Sequence, residues 1–209
     1  MEAGQPNFFG KFVSWLSEKT GCEFNIVALP VKRLKLQYEK SNTIDFIYPD
    51  NPNWHSLESN QSTRRTFSSP IIIALGGTIV TKSNEYLHIK NFSNLAFPRG
   101  FTPVAWFPYQ KQYGITFTET VNAAAALRML AAGRVDGADI ELNVAQHLMQ
   151  KHQIEALVLA KQLPFTPTGF YLSTLRESKL LAEITTVINR HSDELKQLKA
   201  SLNIVEHLD

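Results

Sequence analysis

The 209-residue chain carries 21 basic and 19 acidic residues, for a formal net charge of +2, and is 44% hydrophobic and 19% charged. Such a chain buries a core rather than staying disordered. Its charge balance excludes a dedicated nucleic-acid or anionic-membrane binder, which gathers Lys and Arg on one face.

A single cysteine, Cys22, excludes an internal disulfide and a multi-cysteine zinc site. No apolar run approaches the roughly 18 residues of a membrane helix, so no membrane insertion is expected. The start Met1-Glu2-Ala3-Gly4 lacks the basic and apolar segments of an export signal.

In chain order, Phe8, Phe9, Phe12, Val13 and Leu16 share one helical face, and Gly21 closes that helix. Alternation of Phe24, Ile26 and Ala28 predicts a strand over 23–29 that Cys22 opens as a buried thiol. Pro30 starts a helix with Val31, Leu34 and Tyr38 on one side. Residues 44–48 read as a short strand, 50–66 as a polar loop, and 71–81 as a strand bent at Gly76-Gly77.

A mixed segment over 86–97 ends in a strand. Thr118 or Thr120 caps a helix with Val121, Ala124, Leu127 and Leu130 on its apolar face and Gly133 at its end. Strand 135–140, helix 143–152, strand 156–160, a Pro-rich connector over 163–167, strand 170–173 and two final helices follow, the last capped by Ser192. Short apolar strands alternating with helices predict parallel sheets flanked by helices. The extended segments 71–81 and 163–172 lead out of the first α/β series and back to it, which makes a hinge.

Chemistry-bearing motifs are few. The six histidines form no His-Glu-x-x-His or similar set, so no metal is expected, and no phosphate loop or Gly-x-Ser-x-Gly elbow occurs. Tyr48, Asp50, Asn53 and Trp54 lie just past a strand end, where Trp54 can stack on a flat or cationic group and Asp50 can accept hydrogen bonds. The plainer reading is a polar surface turn. After the strand ending near Phe97, Arg99, Thr102 and local backbone N–H groups suit an anion, and Trp106 adds aromatic area. A solvated loop arginine and a packing tryptophan are the alternatives.

Three stretches carry a family resemblance. Leu29-Pro30-Val31-Lys32-Arg33-Leu34 with Ile44-Asp45-Phe46-Ile47, then Phe67-Ser68-Ser69-Pro70-Ile71, then residues 126–138 through Gly133-Arg134-Val135-Asp136-Gly137-Ala138 occur in order across most of the chain. Together they resemble the type 2 periplasmic solute-binding proteins that serve ABC importers.

The resemblance implies an α/β fold of two lobes, each a mainly parallel sheet flanked by helices, joined by a two-strand hinge. Lobe one would be residues 1–75 and 172–209, and lobe two 76–171. It implies a monomer without cofactor that binds a small polar solute in the periplasm for an ABC-importer permease or a membrane sensor, and does no chemistry. Glu141 falls where the family's second-lobe acid meets a ligand ammonium.

Two departures stand out. The family's export signal and first strand are not found ahead of the helix near Asn7, and Gln61 stands near the place of the arginine that clamps a ligand carboxylate. Arg64 and Arg65 sit too near the next strand to replace it. A periplasmic dehydratase, with Glu141 as its acid/base, and the effector domain of a transcription regulator are the rival readings on this fold.

Overall fold

The computed structural model describes residues 8–29, 33–34, 37–38, 43–55 and 65–208. By chain contact it divides into two compact units, Met1–Ile73 with Gly169–Ile204 and Ala74–Thr168 with Val205–Asp209.

In the first unit α1 (Phe8–Thr20) buries Phe12, Val13 and Leu16, residues spaced to share one face. Gly21 ends it at φ 69°, the left-handed turn that glycine enters without strain. That face packs with Ile71, Leu172, Leu181, Ile184, Ile188 and Leu195 into one core. Strands β1 (Ile47–Asp50) and β2 (Thr66–Phe67) each pair antiparallel with the unit's stretch of a long later strand, Phe165–Thr174.

At the surface of this unit one carboxylate gathers three donors. Glu194 lies 2.7 Å from Lys19, 2.9 Å from His191 and 3.3 Å from the Trp15 indole nitrogen, and these partners hold its carboxyl down at about 2. A lowered acid contributes stability above its unfolded value and loses it as pH falls toward the folded one. Glu194→Gln is therefore expected to unfold more easily at pH 5–7 and to lose that difference on acidification to pH 2, as read by thermal melts across pH.

The second unit starts on β3 (Ile72–Thr81), from Ala74 onward, and continues through β4 (Asn94–Pro98), α2 (Phe107–Tyr113), β5 (Thr116–Thr120), α3 (Ala123–Ala131), β6 (Gly137–Glu141), α4 (Leu142–His152) and β7 (Leu157–Leu159). Strand β4 runs parallel to both β5 and β6, while β3 pairs antiparallel with β6 and β7. The parallel pairing among described residues is thus in this unit. Its core holds Val80, Phe92, Leu95, Trp106, Ile115, Ala160 and Leu163. Strand β8 (Phe165–Thr174) returns the chain to the first unit, followed by α5 (Ser178–Arg190) and α6 (Ser192–Ser201).

Several sequence expectations are corrected. Residues 23–29 form no strand, and Ile26 and Val27 stand 50% and 64% exposed, because no neighbouring strand pairs with them among the described residues. Cys22 is correspondingly half-buried rather than enclosed. The helix begun at Pro30 falls partly outside the described residues; Leu34 and Tyr38 are helical. Residues 116–120 are strand, so the cap of α3 is Asn122, whose side chain accepts from the Ala125 N–H at 2.9 Å. Ser192 is the first residue of α6 rather than a side-chain cap. The Pro-rich connector enters β8 from Phe165 on.

Gly76 and Gly77 are not a bend but regular ladder positions opposite Glu141 and Ile140. They are small because space is short: a Cβ on Gly77 would come within 2.6 Å of Leu159 Cδ1, and one on Gly76 within 3.2 Å of the Thr166 carbonyl.

Candidate functional site

Four of the sequence-selected residues fall together in the first unit. Asp50 ends β1 and is buried, and its carboxylate gathers what the chain brings from far apart. Ser173 Oγ of β8 donates to it, His55 Nε2 lies 2.6 Å away and Arg65 Nη1 3.2 Å away. The Asn51 N–H adds a fourth bond at 2.9 Å. Arg65 also stacks on the fully buried Tyr38 ring, 5.1 Å from its centre, with Arg176 at 5.6 Å. Arg65 is thus committed to the fold, while Gln61 and Arg64 lie outside the described residues.

Ser, His and Asp here do not make a nucleophilic triad. That chemistry needs the imidazole between hydroxyl and carboxylate, whereas here the Ser173 hydroxyl donates its hydrogen bond directly to Asp50, and Ser173 is fully buried. The cluster braces a loop. Asn51 Nδ2 donates to the Gly169 carbonyl at 2.7 Å, and Asn51 Oδ1 accepts the Asn53 N–H at 2.8 Å.

The braced loop presents aromatic surface. Tyr48 stacks flat on Phe9 at 4.1 Å, and Phe170 meets Tyr48 edge-on at 6.3 Å and Trp54 at 5.8 Å. Trp54 remains 47% exposed beside the exposed Asn53.

The other four fall in the second unit, and three have structural employment. Arg99 pairs with Glu119 at 2.8 Å, both exposed. The Arg99 and Phe101 N–H groups are already given to the Thr120 and Pro98 carbonyls, so the segment is a turn rather than a helix start offering free donors. Thr102 is exposed in that turn. Trp106 is fully buried and donates to Thr78 Oγ1 at 3.2 Å, which corrects its place from ligand surface to core.

Glu141 caps α4, accepting the Val144 N–H at 2.8 Å. It also accepts from Asn143 Nδ2 at 2.7 Å and from the Leu75 N–H at 3.3 Å. Asn143 in turn exchanges bonds with Val205 at 3.0 and 2.7 Å. Asp136 receives the Ser93 and Asn94 N–H groups at 2.8 and 2.9 Å, tying the turn before β6 to the start of β4.

No family model matches the chain, and no curated protein matches its sequence. Solved structures do. An ancestral arginine-binding protein bound to arginine superposes with a TM-score of 0.73 at 14% identity, over 93% of this chain and 87% of that one. The GluR0 ligand-binding core in complex with L-glutamate gives 0.71 at 14% identity, over 93% and 88%. An amino acid ABC transporter substrate-binding protein from Streptococcus pneumoniae, bound to L-arginine, gives 0.69 at 15% identity, over 100% and 90%. The chain has the type 2 periplasmic binding protein fold. All three neighbours are binding proteins.

Within this fold the sequence reading missed one acid. Asp139, in the middle of β6, is partly buried, and burial pushes its carboxyl up to about 6. The signal for it was an acid inside the otherwise apolar run from Val135 to Ile140. Arg65, His55 and Ser173 gave no such signal, since nothing local links them to Asp50. Among the described residues no helix is long and apolar enough to cross a membrane, and no group of three or more His, Cys, Asp or Glu could hold a metal.

Proposed function

We propose that the protein is an extracytoplasmic solute receptor that captures a small polar solute and hands it to an ABC-importer permease or a membrane sensor. It does no chemistry on the solute. The observation supporting this reading is the likeness of fold over 93% of the chain to a binding protein solved with its ligand. The chain passes between its units at Ile73–Ala74 and Thr168–Gly169, with a further passage at Ile204–Val205. In this reading the first two passages act as the hinge, and a solute that prefers a closed arrangement shifts the population toward it. Trp54 and Asn53, exposed on the first unit, are the residues there assigned to the solute, with Tyr48 supporting them.

Thermal-shift and calorimetric titrations with L-arginine, L-glutamine, L-glutamate, putrescine, glucose and succinate test the reading. A ligand at a hundredfold excess over its Kd adds about 2.7 kcal/mol of stability, so a clear rise in Tm with at least one of them is expected. Silence across the whole panel counts against solute capture. Trp54 supplies a second readout, because it is 47% exposed whereas Trp106 is fully buried. Trp54→Phe is expected to remove most of the ligand-induced change in emission. An undiminished change would place the solute away from Trp54.

A further inference from the structure

Strand β5 is an open edge of the second unit. Among the described residues it pairs with β4 and with no other strand, in a register unbroken over all five positions. The Thr116 N–H donates to the Ser93 carbonyl and the Thr120 carbonyl accepts from the Arg99 N–H, each at 2.8 Å. Successive residues of a strand turn their backbone groups to opposite edges. Thr116, Thr118 and Thr120 therefore face β4, while Phe117 and Glu119 each turn an N–H and a carbonyl to the open side. Among the described residues no hydrogen bond reaches those four outward groups.

Proteins guard such an edge with lysine, proline or a bulge, because its free backbone is a template for another strand. Thr116-Phe117-Thr118-Glu119-Thr120 has neither Lys nor Pro, and its register with β4 shifts nowhere. Its one charge, Glu119, is already neutralised by Arg99 at 2.8 Å.

The edge is complementary to itself. Antiparallel pairing of two copies about an axis at Thr118 sets Phe117 of each copy opposite Glu119 of the other. Both residues face outward, so each such pair exchanges two hydrogen bonds and no outward group is left over. The two Phe117 rings become diagonal neighbours at about 7–8 Å, within aromatic reach. The Arg99–Glu119 pair of one copy then lies beside Phe117 of the other, so the seam gathers no uncompensated charge. Phe107 of α2, 48% exposed, stacks on Phe117 at 6.3 Å and adds apolar surface along the same side.

We propose that β5 is the seam of a homodimer, in which two copies of this chain join edge to edge and antiparallel, extending the sheet from one to the other. The inference is independent of the solute-receptor reading. It replaces the monomer that family resemblance implies.

Sedimentation equilibrium of the full chain from about 5 μM to about 500 μM tests it, a range suited to a small interface. The mass is expected to climb from 23.6 kDa toward twice that value. Glu119→Pro removes an outward N–H and spares the β4 ladder, so it is expected to weaken association about tenfold or more. Glu119→Gln keeps that N–H and is expected to associate within about threefold of the native chain. Amide hydrogen exchange gives a reading that needs no variant: raising the concentration slows exchange at Phe117 and Glu119, whose amides are open in a single copy. A mass that stays at 23.6 kDa throughout overturns the proposal and leaves the edge to a strand of another protein. A dimer that Glu119→Pro forms as readily as the native chain, or one in which Phe117 and Glu119 still exchange freely, overturns it too.

Discussion

Asp50→Asn is expected to destabilise the first unit by about 3–5 kcal/mol, the cost of removing one member of a buried charged cluster. The Asp50 side chain is 5% exposed, Arg65 13% and His55 18%, so water does little to replace the lost charge. The amide of this variant keeps a single acceptor oxygen for a cluster of four partners, so either the Ser173–Arg65 side or the His55–Asn51 side faces an amide NH2 instead of an acceptor. A buried group left unpaired adds about 1–3 kcal/mol to such a loss. Arg65 and Tyr38 stay stacked, so the ring contact does not cancel the effect.

Urea unfolding followed by circular dichroism measures the loss. A double-mutant cycle with Ser173→Ala then separates the hydroxyl from the guanidinium, because Asp50 and Ser173 bond directly to each other and the two variants should be strongly non-additive. A loss below about 1 kcal/mol, the size of an exposed ion pair, would show that solvent reaches the cluster and that it does not brace the loop carrying Trp54.

The comparison of Asp50 with α1 shows what a sequence discloses. The face of α1 was legible because Phe12, Val13 and Leu16 report on one another within a single helix. Fold class was legible from three ordered stretches. Strand 23–29 shows the limit: alternation describes which side of a strand is apolar, but a strand exists only if a neighbour pairs with it, and none does among the described residues. The converse holds for β5, where one Phe117 among Thr116, Thr118, Glu119 and Thr120 hardly marks a strand, yet β4 pairs with all five residues. Glu141 and Trp106 were chosen for chemistry that packing has put to other use, as cap and as core. The partners of Asp50 come from positions up to 123 residues distant, which no local pattern reports. Asp139 was legible in principle, as a charge where an apolar residue belongs.

That misplaced charge has a measurable cost. Asp139→Asn is expected to stabilise the unliganded protein at neutral pH, the reverse of the Asp50 result. The folded carboxyl stands at about 6 against an ordinary 3.8. Between those values the unfolded chain has released its proton and the folded one still holds it, so folding stability falls as the pH rises through that window. Below pH 4 native protein and variant both carry a neutral group there and should unfold alike. By pH 7.5 the native protein bears the full penalty, at 1.36 kcal/mol per pKa unit about 2–3 kcal/mol after allowing for partial exposure, and the variant does not. Guanidinium unfolding at pH 4, 5, 6 and 7.5 reads the gap directly. A gap that opens between about pH 4 and 6 and is complete above it marks a carboxylate whose ionisation the fold opposes. If the two proteins differ equally at every pH, the side chain is being felt for its shape, and the carboxylate is not unpaired in the folded chain.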